Sequence, residues 1–233
     1  MKRIILLLTI AMNFGIAFAA KYAVKVGEFT HLQVDDNINV VYSNNPDSVG
    51  MVCYETTPDM ANKIMFSTNN KGRLRIQVMT GAVGRPNLPV VHVYSSFLTK
   101  IENSSDSTLT IASIAPAPEI EIKLTDNGKI KATGIEATKL KAEILTGKGV
   151  IVVSGQCVDA SLKSIGTGEI QADKLKATNV TATISGTGCI GCNVSGKLVV
   201  KGLGTGKVYY SGKPQEVKTH KLGSIKAIPL EEE

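Results

Sequence analysis

Ile165-Gly166-Thr167-Gly168-Glu169-Ile170, Ser185-Gly186-Thr187-Gly188-Cys189-Ile190 and Leu203-Gly204-Thr205-Gly206-Lys207-Val208 repeat one arrangement: a Gly-Thr-Gly corner, one variable residue, then an aliphatic one. Working outward, altered forms of the corner stand at Thr146-Gly147-Lys148-Gly149 and Thr125-Asp126-Asn127-Gly128, and the register extends to Ser107 and Gly223. The markers Ser107, Gly128, Gly149, Gly168, Gly188, Gly206 and Gly223 follow one another at 21, 21, 19, 20, 18 and 17 residues. A repeat of this length points to a solenoid, because one turn of chain cannot bury its own apolar face and does so by stacking on its neighbours.

The register can be tested against the residues around it. Two positions after each marker stand Leu109, Ile130, Ile151, Ile170, Ile190, Val208 and Ile225, all aliphatic. Two further on stand Ile111, Ala132, Val153, Ala172, Cys192, Tyr210 and Ala227, mostly small or apolar, whereas the positions between, such as Thr110, Lys131 and Gln171, are mostly polar or small. Period-two alternation places one set on a dry strand face and the other on a wet one. The chain is therefore expected to be all-β, a short parallel β-solenoid of about seven rungs, roughly 30 Å long at the ~4.8 Å spacing of paired strands. The corner residues Gly128, Gly149, Gly168, Gly188, Gly206 and Gly223 are expected where φ is positive or backbones approach closely.

Upstream the repeat fades. Ile38 to Tyr42, Val49 to Tyr54, Leu74 to Val78 and Val91 to Tyr94 read as strands, and Pro58 to Ile64 fits one helical turn. Asn44-Asn45-Pro46, Asn69-Asn70-Lys71-Gly72 and Gly84-Arg85-Pro86-Asn87 are turn signals between them. This divides the chain into an irregular β region at 20–98 capping the first rung, solenoid repeats at 99–228 and an acidic tail at 229–233. The tail is expected to discourage the last edge from pairing with another chain. Residues 1–19 read as a signal peptide: Met1-Lys2-Arg3, an apolar run from Ile4 to Ile16, then Ala17-Phe18-Ala19 with cleavage after Ala19. No cysteine stands at that point for a lipid anchor, and no later stretch offers the roughly 20 apolar residues of a membrane span. The mature chain is expected in the periplasm, on the outer surface or in the medium.

The chain carries 26 basic and 20 acidic residues, and its excess lysines are dispersed rather than gathered into a nucleic-acid patch. Gly186-Thr187-Gly188-Cys189-Ile190-Gly191 has the spacing of a dinucleotide fingerprint, but a strand follows it where that chemistry needs a helix N-terminus. Cys189 and Cys192 form a CxxC that the register places on opposite strand faces, about 10 Å apart and beyond disulfide reach. His31, His92 and His220 lack metal-ligand spacing. Asp35-Asp36 and Glu119 with Glu121 are the acid pairs a glycoside hydrolase would need, yet the first reads as a turn and the second as a wet face. No catalytic, cofactor-binding or metal-ligating residue is assigned.

Three stretches carry a family likeness: Phe29-Thr30-His31-Leu32-Gln33-Val34 with Ile38-Asn39-Val40, the Gly-Thr-Gly corners, and Val208-Tyr209-Tyr210-Ser211-Gly212-Lys213-Pro214. With these the chain resembles the auto-transporter adhesin head domain known as the head GIN domain, common in Bacteroidetes, over nearly the whole mature length. The resemblance implies a β-helix-like fold and an envelope or surface location. It departs from the self-transport label, since neither a translocator barrel nor a coiled-coil heptad is present. Asp47-Ser48-Val49 and Asp106-Ser107-Thr108 resemble the acceptor triplet for O-glycosylation of exported proteins in such bacteria. The expected function is a non-catalytic, adhesin-like interaction module whose partner is a protein or glycan of the envelope or a host surface. The alternatives are a passive structural element and a β-helix polysaccharide lyase, the last disfavoured by the scarcity of aromatic platforms in the rungs.

Overall fold

Alternation of buried and exposed residues runs through most of the chain, and the computed structural model, which describes residues 19–84 and 88–230, is correspondingly all-β. All but the last residue of the expected signal peptide at 1–19, most of the turn at 84–87 and the tail residues 231–233 lie outside the described residues. The N-terminal part contains β1 (Ala20–Lys25), β2 (His31–Val34), β3 (Val40–Asn44), β4 (Met51–Thr56), the helical turn α1 (Pro58–Ala61), β5 (Ile64–Thr68), β6 (Arg73–Val78) and β7 (Val91–Ser95). Then come β8 (Lys100–Asn103), β9 (Thr108–Ser113), β10 (Ala117–Leu124), β11 (Lys129–Ile144), β12 (Val150–Gly166) and β13 (Glu169–Gly186). The last four are β14 (Cys189–Gly204), β15 (Lys207–Ser211), β16 (Glu216–Gly223) and β17 (Lys226–Pro229).

The chain winds into a parallel solenoid of about six turns. Within β13 the alternation breaks at two adjacent outward residues, Asp173-Lys174 and again Thr178-Asn179, and a third break falls at Ser185-Gly186-Thr187. Inward side chains thus fall into three groups, Ile170 with Ala172, Leu175 with Ala177, and Val180 with Ala182 and Ile184, so each turn has three faces. On the first face the ladder runs Val91, Val40, Leu109, Ile130, Ile151, Ile170, Ile190, Val208, Ala227. All but Ala227 are fully buried. A buried aliphatic side chain contributes about 1.5–3 kcal/mol, so this column and its two neighbours hold the rod together.

The stack does not stop at residue 98. β6 and β7 form its outermost turn, β2 and β3 the next, and β8 and β9 the third. The first turn in the chain therefore sits second in space. Antiparallel strands finish this end: β4 pairs with β7, β1 with β4, and β5 with β6. Met60, Ala61 and Ile64 are buried beneath them.

The corners separate two roles. Their first position is left-handed, with φ of 74° at Asp126, 83° at Gly147, 98° at Gly166, 129° at Gly186, 120° at Gly204 and 95° at Gly223. Gly128, Gly149, Gly168, Gly188 and Gly206 occupy the third position and lack positive φ; what they need is space. A Cβ on Gly168 would lie 2.8 Å from Ile144 Cγ2, and one on Gly206 would lie 2.6 Å from Ile184 Cγ2. Gly223 is a corner glycine with positive φ and close backbone approach as expected, but it pairs with Gly204 and so belongs to the left-handed column, not the third position. The shift carries Ile225 out of the ladder as well: Val208 pairs with Ala227, and Ile225 takes the place of a third-position glycine opposite Gly206. Its buried side chain reaches toward Gly202, where an added Cβ would meet Ile225 Cδ1 at 2.9 Å. Gly202 itself stands in the column of Leu124, Ile144, Ser164 and Ile184. The corner holds one branched side chain, and in the last turn the partners have exchanged places.

Candidate interaction site

The antiparallel end sheet carries a groove of about 640 Å³. Here β7, β4 and β1 lie side by side, and alternation sends His92, Tyr94, Cys53, Glu55, Lys21 and Ala23 outward while Val93, Val52, Tyr54 and Tyr22 turn toward the core. The register sets Ala23, Cys53 and His92 in one row, with Lys21 opposite Glu55 and Met51 opposite Tyr94. Val90 completes the wall. Below the sheet, Tyr22 and Tyr54 stack at 5.3 Å and Tyr54 meets Phe66 at 5.7 Å, an aromatic layer that stiffens the groove floor. Sequence reading assigned none of these groove residues; the signal in it was a strand pattern at Val49 to Tyr54 and at Val91 to Tyr94, without the pairing that joins them.

The third face is a charge ladder. Across successive strands one row reads Glu102, Lys123, Glu143, Lys163 and another Glu119, Lys139, Asp159. Glu121 lies 2.7 Å from Lys123 and 3.5 Å from Lys100, Glu119 2.5 Å from Lys141, and Glu216 3.0 Å from Lys197. His31 Nε2 comes within 3.1 Å of Glu102 Oε2. This contact with His31, opposed by burial and joined by Lys100, holds the Glu102 carboxyl down at about 2.

The acids considered from sequence are engaged elsewhere. Asp35 is bound by Arg75 and by Gln33, and Asp36 Oδ2 accepts the Val78 amide at 2.8 Å. Cys189 faces outward and Cys192 inward, the latter 1% exposed with burial pushing its thiol up to about 12; both are free thiols. The dinucleotide-like stretch opens β14, a strand. His31, His92 and His220 lie on three different strands. Among the described residues no group of three or more His, Cys, Asp or Glu side chains is placed to hold a metal ion, and no helix is long and apolar enough to cross a membrane. Of the two acceptor triplets, Ser107 is 3% exposed with its Oγ 2.7 Å from Ser105 Oγ, which closes it to a glycosyltransferase in the folded protein; Ser48 ends a surface turn.

The architecture recurs in solved structures. A putative adhesin from Bacteroides fragilis NCTC 9343 superposes with a TM-score of 0.77 at 21% identity, over 91% of this chain and 97% of that one. A putative adhesin from Parabacteroides distasonis ATCC 8503 gives 0.75 at 17% identity, and a putative lipid binding protein from the same organism 0.74 at 16%, each over 93% of this chain and 98% of the other. No curated protein matches. Residues 28–214, from just before β2 to just beyond β15, match the family described as putative auto-transporter adhesin, head GIN domain, and the chain belongs to that family.

Proposed function

We propose that this protein is a non-catalytic, exported interaction module of the cell envelope that docks a protein or glycan partner in the groove of its N-terminal end sheet. The observation that carries the reading is the groove itself: a concavity on a rigid, register-locked stack, with an aromatic edge at Tyr94 and ionisable groups of both signs at Lys21 and Glu55. Pre-shaped concave sites with few polar groups are where partners bind most readily. The non-catalytic part is supported by the engagement of Asp35, Asp36, Glu119 and Glu121 in ion pairs or backbone hydrogen bonds. Catalysis would call for acid and base groups converging on one pocket. Export is supported by the leader and by family membership. A glycan and protein binding screen on residues 20–233 tests the proposal. Binding should appear and fall at least tenfold in Tyr94→Ala and Val90→Asp, whereas binding indifferent to both would remove the groove from the reading.

The charge ladder favours a second reading, a passive structural element, since it satisfies charges internally rather than presenting them. Failure to bind any envelope or host component, with the protein resistant to external protease on intact cells, would support it.

A further inference from the structure

Cys53 and His92 are far apart in sequence, and the antiparallel pairing of β4 with β7 makes them direct cross-strand neighbours. Such neighbours have Cβ atoms about 4.5–5.5 Å apart, close enough for a thiol to meet an imidazole ring. Both line the 640 Å³ groove; Cys53 is partly exposed and His92 is exposed. Around the thiol stand Ala23 opposite on β1, Lys21 and Lys25 diagonally on that strand, Glu55 beside it on β4, and Tyr94 diagonally on β7. The other thiols are less available. Cys157 and Cys192 are buried, and burial pushes them up to about 11 and about 12. Cys189 is partly exposed but is also raised, first by burial and then by Glu169 beside it.

We propose that Cys53 and His92 form a thiol and base pair that undergoes thiol–disulfide exchange with small disulfides entering the groove. The imidazole takes the Cys53 proton, and the thiolate attacks one sulfur of the incoming disulfide. The Cys53 sulfur bonds to that sulfur as the original S–S bond breaks, and the leaving thiolate recovers the proton from the imidazolium. The exchange conserves the number of disulfides and needs no further oxidant. The groove is large enough to admit a molecule of the size of cystine or oxidised glutathione, and the mixed disulfide would occupy part of it. The protein would thereby carry a reversible redox mark at the place where a partner docks, though the chemistry stands whether or not a partner binds there.

The test uses the folded mature chain, oxidised glutathione at neutral pH and mass spectrometry with peptide mapping. One adduct should form, on Cys53, and Cys53→Ser should abolish it while Cys189→Ser leaves its rate unchanged. His92→Ala should slow adduct formation about tenfold, the scale on which thiolate fraction governs such exchange near pH 7. Added imidazole should restore much of that loss, which it would not do for damage to packing; His92→Gln, which keeps a similar volume, should behave as His92→Ala does. Equal or faster reaction at Cys189, an adduct persisting in Cys53→Ser, or histidine variants that are not slowed would overturn the proposal. Slowing that imidazole fails to rescue would also overturn it, by making His92 a structural neighbour.

Discussion

A single inward residue of the ladder sits between two others of its kind, so charge placed there has no partner. Ile151→Lys and Ile170→Asp should each destabilise the protein by more than about 4 kcal/mol or prevent folding. Polar replacements at the outward Lys131 and Gln171 should change stability by less than about 0.5 kcal/mol. Denaturant midpoints for the four variants check this, and comparable losses at both sets would dismiss the inward and outward assignment. At the corners, Gly168→Val and Gly188→Val should lower the melting temperature well beyond Thr167→Ala and Thr187→Ala. The cause is crowding, since a Cβ on Gly188 would lie 2.5 Å from Gly168 O. Glu102 ties stability to pH. Its carboxyl is depressed from 4.5 to about 2 by His31 and Lys100, so its stabilising effect is present above about pH 4.5 and is lost as pH falls toward 2. Acid titrations of wild type and Glu102→Gln should converge across that window; curves that stay parallel would mean the pair does not contribute there.

At the scale of a turn, the corner in the last rung shows how the structure solves a packing problem with two interchangeable parts. Ile225→Ala should cost about 2–4 kcal/mol, because it empties the space over Gly202 that no other side chain fills. A loss under about 1 kcal/mol would mean that Ile225 packs more loosely than its burial implies. Reversing a charge on the third face tests the ladder: Glu121→Lys sets an ammonium among Lys100, Lys123 and Lys141. Its melting temperature should fall at low salt and recover partly as salt is raised. The solenoid and its ladder were legible because Ile130, Ile151, Ile170 and Ile190 keep one distance from a glycine that tight stacking requires. The end turn misled because Gly223-Ser224-Ile225 carries a glycine in the first corner position and none in the third, so aligning on glycine shifted the register by two. Strands near β3, β6 and β7 were legible, but that they and β2 continue the stack was hidden for a related reason: their turns lack the Gly-Thr-Gly signature and pair across long stretches of chain. The groove was illegible because it depends on Cys53 meeting His92, a pairing written in no local pattern.

The whole molecule has unlike ends. One is closed by β1, β4, β5 and the buried residues of α1. At the other, Val217 continues the inward column of Val180 and Leu198 yet is 42% exposed, and Leu203 and Leu222 stand 58% and 71% exposed. Solenoids open from their weaker end, so amides of β16 and β17 should exchange with deuterium well before those of β11 to β13. Uniform protection along the rod would contradict this account. The order of turns in space bears on how the chain comes to fold at all. Synthesis is vectorial, and the β2–β3 segment emerges with neither of its neighbours yet made: one arrives with residues 73–95, the other with 100–113. The β2–β3 turn therefore cannot stack as it appears, and it gains its first neighbour only with residues 73–95. Its second neighbour follows only with residues 100–113, so the middle turn of this end closes last and the segment stays threadable until then.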